Sequence, residues 1–162
     1  MKFKDNGGRE IEFMIHEIDA GRVPLKKDGW NFNWRELTKK KNRMFFGLFV
    51  SNEIQGIISI EVQLIGSAMM FMHQIELAPH NIGVKGKYKE AAGCLLAYAC
   101  YQSLLKLEVE NPYFGYLVFE SKTNLIQHYK KYGATSSMGT KMYFSPEAGN
   151  KLIERYLKEL IK

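Results

Sequence analysis

The segment from residue 88 to residue 107 constrains this chain more than any other. It reads Tyr-Lys-Glu-Ala-Ala-Gly-Cys-Leu-Leu-Ala-Tyr-Ala-Cys-Tyr-Gln-Ser-Leu-Leu-Lys-Leu. Its length is that of a helix, and apolar residues lie nearly all round it, so it is expected to be buried rather than laid on a surface. Ala91, Ala92, Gly93, Ala97 and Ala99 are small enough to let it sit close to a sheet or a ligand. A helix of this kind needs partner layers, and the rest of the chain must supply them.

The preceding sequence supplies strands. Residues 9–16 alternate in polarity and read as a first strand. Gly21, Pro24 and Gly29 break the chain, and Trp30-Asn-Phe-Asn-Trp34 leads into a short helix over residues 35–40. Residues 43–50 and 55–63 are apolar strands, joined by a tight hairpin at Ser51-Asn-Glu-Ile. A further strand over 68–77 is ended by Pro79. Beyond the buried helix, residues 111–114 make a turn and residues 115–120 a strand. Ser121 is placed to cap a helix that Gly133 ends. A strand over 139–144 and a helix opened by Ser145 and Pro146 complete the order. Leu152, Ile153, Tyr156, Leu157, Leu160 and Ile161 form the apolar face of that last helix. The order predicts one α/β domain over residues 1–162, with a mixed, largely antiparallel central sheet flanked by helices. No GxGxxG follows the first strand, so a dinucleotide fold is not indicated.

Composition narrows the function. The chain has 162 residues, 46% of them hydrophobic, enough for a full core. No apolar run is long enough for a membrane helix and no signal-peptide pattern opens the chain, so a cytoplasmic protein without a membrane partner is expected. The net charge of +6 suits an anionic ligand. Lys39-Lys-Lys-Asn-Arg43 is the densest basic run, but no nucleic-acid module accompanies it, and a solvated turn is the simpler reading. Cys94 and Cys100 fall on different faces of one helix and read as inert core thiols. The histidines show no metal spacing, and no G-x-S-x-G or cysteine–histidine pairing points to other nucleophilic chemistry.

Two stretches could carry chemistry. The first is the loop Asn81-Ile-Gly-Val-Lys-Gly-Lys-Tyr-Lys-Glu90 between a strand and the buried helix. Gly83 and Gly86 let backbone N–H groups turn toward an anion, the helix N-terminus adds partial positive charge, and Lys85, Lys87 and Lys89 add full charges. A pyrophosphate fits such a loop, and an ordinary solvated connection accounts for the same residues equally well. The second is Glu120-Ser-Lys-Thr-Asn-Leu-Ile-Gln-His-Tyr-Lys-Lys-Tyr-Gly-Ala134, a strand end followed by a tyrosine-bearing helix with a glycine stop.

Together these stretches resemble the GNAT N-acetyltransferase superfamily, whose element order matches from about residue 9 to about residue 144. Leu77-Ala-Pro79 is similar to the family's strand end, and Ala91-Ala-Gly-Cys-Leu-Leu96 to the first turns of its cofactor helix. The family's Arg/Gln-x-x-Gly-x-Gly/Ala loop is altered here: Lys87-Tyr-Lys-Glu90 stands where its Arg-Gly-x-Gly would fall, and the glycines lie upstream. Tyr129-Lys-Lys-Tyr-Gly-Ala134 matches the family's Tyr-x-x-x-Gly-Phe, with Ala134 for the aromatic residue and Lys122 for the usual asparagine, Asn124 lying two positions off register.

The resemblance implies acyl-CoA-dependent N-acyltransfer, with acetyl-CoA as cosubstrate and an amine-bearing small molecule or protein as acceptor. It implies that Tyr129 protonates the leaving thiolate and that the backbone N–H near Leu77 polarises the thioester carbonyl. Gly83, Lys85, Gly86, Lys87, Tyr88, Lys89, Ala91 and Ala92 would hold the pyrophosphate, with Lys122 and Asn124 at the second helix. Glu76 stands where family members often place a base, and a strand-end glutamate paired with a lysine is the alternative. His73, at odd spacing from Glu76, is expected on the opposite face. His80 at the loop mouth is a weaker alternative base. Trp30, Phe32 and Trp34 would wall the acceptor pocket or plug the core. Two rival readings are a GNAT-like partner protein without catalysis and, more remotely, a basic nucleic-acid-binding module. The sequence leaves a homo-oligomer open.

Overall fold

A computed structural model describes residues 1–63, 69–107 and 115–161. The expected strand start at residue 68 and the expected turn at 111–114 lie outside the described residues. The chain begins with β1 (Lys2–Lys4) and β2 (Glu10–Glu12), a small antiparallel hairpin. Its turn is set by Asp5, whose carboxylate accepts from the N–H groups of Gly7 and Arg9 and pairs with the Arg9 guanidinium at 2.9 Å. The single strand expected over 9–16 is thus two, β2 and β3 (Met14–Glu17). The break is at Phe13, which is buried and whose N–H donates to Met1.

The main sheet then builds through α1 (Trp34–Leu37), β4 (Arg43–Val50), β5 (Glu53–Gln63) and β6 (Met69–Leu77). Ser51 and Asn52 take positive φ of 49° and 68°, the conformation a two-residue hairpin demands. The buried helix is α2 (Ala91–Leu107), starting three residues later than its composition suggests because residues 81–90 are tied into a loop. β7 (Leu117–Glu120) follows, then a 3-10 turn at Thr123–Leu125 and α3 (Ile126–Lys131). Ser121 does not cap this helix: its hydroxyl donates to the Lys122 carbonyl, and the 3-10 turn displaces the helix start. Gly133 does end it, at φ 98°. A two-residue strand, β8 (Thr135–Ser136), precedes β9 (Lys141–Phe144) and α4 (Pro146–Tyr156). The Ser145 hydroxyl caps α4 by accepting from Ala148 N–H.

Seven strands form one sheet in the order β3-β4-β5-β6-β7-β9-β8, antiparallel except for β6 and β7. The architecture is therefore the mixed, largely antiparallel sheet flanked by helices that the sequence predicts. One face carries Phe46, Leu48, Ile58, Ile60, Met70, Met72, Leu117 and Phe119 and packs under α2. α4 lies on α2 through small residues: the Tyr156 ring covers Gly93, and Gly149 sits against Cys100. Both cysteines are free and fully buried, and burial pushes both thiols far above their ordinary range. The other face carries a smaller core of Trp30, Trp34, Phe45, Phe49 and Ile57 beneath the connection from β3 to β4.

Candidate active site

β6 and β7 run parallel but stay together only briefly. Their pairing covers Met70, Phe71 and Met72 against Leu117, Val118 and Phe119. β6 then continues to Leu77, while β7 stops at Glu120. Among the described residues, the β6 edge from His73 to Leu77 has no strand on that side, so the sheet opens into a gap toward the C-terminal ends of both strands. Open α/β sheets place ligands at such a parting. The Ala78 N–H donates to Gln55 on the β5 side. Strand alternation then turns the Leu77 N–H the other way, into the gap.

At the mouth of the gap the chain passes through the glycine loop into α2. Asn81, 3% exposed, pins the loop: its amide donates to the Gln55 carbonyl and side chain, and its oxygen accepts from Tyr88 N–H. Lys87 N–H donates to His80, and Gly86 N–H to Gly83. A side chain at Gly86 would collide with the Asn81 carbonyl, 2.4 Å from the position of a Cβ, so the close approach requires glycine. The amides of Gly86, Lys87 and Tyr88 are thus used within the loop. Among the described residues, the N–H groups of Lys89, Glu90, Ala92 and Gly93 have no backbone acceptor, and they lie at the N-terminus of α2. Lys85, Lys87 and Lys89 are exposed around them. The loop is also braced from an unforeseen side. The β1–β2 hairpin sends Asn6 to the Gly86 carbonyl and Lys4 N–H to Glu90, and Phe3 packs on Tyr88 at 5.3 Å. Asn6 and Asn81 were not singled out by the sequence; Asn81 follows Pro79 by two residues and Asn6 precedes Gly7-Gly8, and neither place marks a partner.

Tyr129 is on α3 and packs beside the last β6–β7 pair, on the α2 side of the sheet. Its ring packs on Phe119 at 4.7 Å and is mostly buried. Burial and the neighbouring Tyr132 push the phenol above its ordinary value, so it holds its proton at neutral pH. Lys122 and Asn124 are exposed just before α3.

Glu76 lies on the other face, opposite Ile57 in the sheet, and is 7% exposed. Its carboxylate accepts from the N–H groups of Asn31 and Phe32 and from Trp34 Nε1 at 2.8 Å. No lysine is among these partners. Three donors from one segment fix the Trp30-Asn-Phe-Asn-Trp34 crossing onto the sheet. Trp30 and Trp34 are core, and Phe32 alone of the three aromatic residues is partly exposed.

His73 overturns the expectation that it faces away from Glu76. The register between β5 and β6 shifts between Ser59 and Ile60, so His73 is an extra residue, a β-bulge. Its Nε2 bonds to Glu61 at 2.6 Å, and its ring packs on Phe71 at 4.8 Å. Glu61 shares a face with Ile57 by alternation, so His73 and Glu76 lie on the same side of the sheet. His80 instead bonds to Gln55 at 2.6 Å.

No family model matches the chain, and no curated protein is similar to it in sequence. Solved structures are similar to it in fold. The AtaT–AtaR complex bound with acetyl-CoA is 12% identical with a TM-score of 0.65, over 87% of this chain and 98% of that one. A tyrosine-to-phenylalanine mutant of the AtaT toxin, bound to the C-terminus of its antitoxin AtaR, matches at 13% identity and a TM-score of 0.61, over 88% and 97%. A protein from Desulfovibrio desulfuricans assigned to the GNAT acetyltransferases matches at 12% identity and 0.59, over 82% and 95%. FeeM, an N-acyl amino acid synthase from uncultured soil microbes, matches at 13% identity and 0.60, over 91% and 98%. The chain has the GNAT fold, in a divergent sequence.

Proposed function

We propose that this GNAT-fold chain is an acyl-CoA-dependent N-acyltransferase that moves acetyl from acetyl-CoA to an amine by direct attack. The observation that carries this reading is the parting of β6 and β7, with the α2 N-terminus at its mouth and Tyr129 at its side. The acetyl-CoA held by the AtaT–AtaR complex supports the choice of cosubstrate.

In this reading the free N–H groups at the start of α2 and the lysines around them hold the pyrophosphate. Gly83 and Gly86 shape the loop that presents them, and Lys122 and Asn124 flank the cofactor from the α3 side. The Leu77 N–H donates a hydrogen bond to the thioester carbonyl oxygen and stabilises the charge that grows on it. The amine nitrogen attacks the carbonyl carbon, the C–S bond breaks, and Tyr129 gives its proton to the departing thiolate. Glu76 acts by fixing the aromatic crossing that walls the acceptor side, because its carboxylate already serves three donors.

Calorimetric titration with acetyl-CoA tests the reading. Saturable binding is expected, and no heat at millimolar cofactor overturns it. The same titration separates a second reading, a GNAT-fold partner protein without catalysis. That reading is favoured by the internal use of the Gly86, Lys87 and Tyr88 amides and by the antitoxin bound to AtaT.

A further inference from the structure

We infer that His73 is the general base of this site and that Glu61 positions it; the inference rests on the acyltransferase reading above. Direct attack needs a neutral amine, and most amines are protonated near neutral pH, so a group beside the thioester must take a proton. Glu76 is occupied by three donors. His80 is tied to Gln55 outside the gap. His73 stands where the proton must go. It is the first residue of β6 beyond the last pair with β7, Met72 with Phe119, and so marks the apex of the parting.

Alternation from Met70 and Met72, which are sealed in the core under α2, puts His73 on the opposite face with Phe71 and Glu61. The bulge that follows Met72 then brings Glu76 and the aromatic crossing it holds to that same face. The ring remains 15% exposed and its Glu61 partner 23%. A carboxylate only accepts hydrogen bonds, so Nε2 carries the ring hydrogen and Nδ1 keeps a free lone pair. This is the logic of a carboxylate holding an imidazole in one tautomer.

Among the described residues, the charges around the ring are few. Glu61 on β5 draws its affinity for a proton up, Arg43 on β4 draws it down, and β7 brings Glu120, whose carboxylate accepts from Thr140. Burial outweighs the Glu61 bond and leaves the imidazole below its ordinary value, hence neutral and able to accept at pH 7. The step balances. Nδ1 takes one proton from the ammonium and passes it to solvent. The neutral amine then attacks, the C–N bond forms and the C–S bond breaks, and the thiolate takes one proton from Tyr129. The second proton lost by the nitrogen returns through solvent to the tyrosinate, so one proton is released overall. An amine that enters neutral skips the first transfer.

The test compares two acceptors in thiol release from acetyl-CoA: ethylamine, protonated at neutral pH, and methoxyamine, unprotonated there. His73→Gln is expected to lower the ethylamine rate about 100-fold and to leave the methoxyamine rate within a few-fold. Calorimetry on the same samples should show acetyl-CoA binding unchanged. For the wild type, the ethylamine rate should fall as pH drops through the His73 titration. An NMR titration of the His73 ring should move to lower pH in Glu61→Gln, since the partner that raises it is gone. Equal loss with both amines, an unchanged ethylamine rate, or a ring titration indifferent to Glu61→Gln would overturn the base while acetyl-CoA still binds. Absence of acetyl-CoA binding in the wild type would instead remove the acyltransferase reading.

Discussion

The two faces of the central sheet are built from the same strands and do opposite things. Under α2 the sheet surface is hydrocarbon, from Leu48 and Ile58 through Met72 to Phe119 and Phe144, with the Tyr129 ring packed on Phe119. On the reverse face the aromatic core beneath the β3–β4 connection gives way to polar side chains: Glu76, Ser59, Gln74, His73, Glu61 and Arg43. The dry face holds the helix whose N-terminal amides we propose for the pyrophosphate, and close packing fixes that helix against the sheet. The polar face is where charge can change. One sheet thereby separates the place where a cofactor would be held from the place where an acceptor would lose its proton.

Truncating each core tests this division most severely. Phe119→Ala removes a ring packed on both Tyr129 and Phe144. A cost of about 3–5 kcal/mol is expected in urea unfolding. Trp34→Ala should cost a similar amount and also release one of the donors on Glu76. The faces should then differ in binding. The Phe119 variant should weaken acetyl-CoA, while the Trp34 variant should leave cofactor affinity nearly intact. If both lose cofactor equally, the faces are not functionally separate.

Next in size is Glu76→Ala, which leaves three N–H groups facing a void. About 3 kcal/mol of stability should be lost, visible as a lower midpoint in denaturant. Trp34→Phe, which removes only one donor, should cost about 1 kcal/mol. A Glu76→Ala protein of unchanged stability but lost turnover would show that the carboxylate serves chemistry rather than the crossing segment.

Much of the frame was legible in the sequence because it depends on local pattern. β4 and β5 follow from runs of apolar residues around a hairpin, α4 from Ser145 and Pro146, and the α3 stop from Gly133. The resemblance to the GNAT superfamily gave the element order of the sheet and its helices. What stayed hidden depends on contacts between distant residues. Glu76 is held by a segment more than 40 residues earlier, so its three partners leave no local trace. The hairpin that braces the loop acts across 80 residues, from Asn6 to Gly86. The bulge at His73 is a single inserted residue, and a one-residue shift reverses every face assignment beyond it. Alternation alone therefore put His73 and Glu76 on opposite faces.

Tyr129→Phe should affect rate without affecting fold. The phenol oxygen has no protein partner among the described hydrogen bonds, and the ring contact with Phe119 survives the change. Stability within about 0.5 kcal/mol of the parent is expected. Thiol release should be slower by about 100-fold, equivalent to roughly 2.7 kcal/mol of barrier. A variant that unfolds more easily but turns over normally would place the tyrosine with the dry core and leave the thiolate to solvent.

The smallest effect is expected at Ser59, at the centre of the polar face. Its hydroxyl is fully buried and is the one buried side-chain polar atom without a partner among the described residues. It lies between Phe45 on β4 and Gln74 on β6, beside the strand position that carries Glu61. A buried hydroxyl without a partner lowers stability, so Ser59→Ala should be neutral or stabilising by up to about 1 kcal/mol in the free protein. If the hydroxyl instead meets an acceptor molecule on this face, the same change should weaken amine binding while leaving acetyl-CoA binding unaltered. Measuring both affinities in the variant decides whether the polar face is shaped by packing alone or by what binds there. A loss of stability above about 1 kcal/mol would mean that the hydroxyl has a partner in the folded chain.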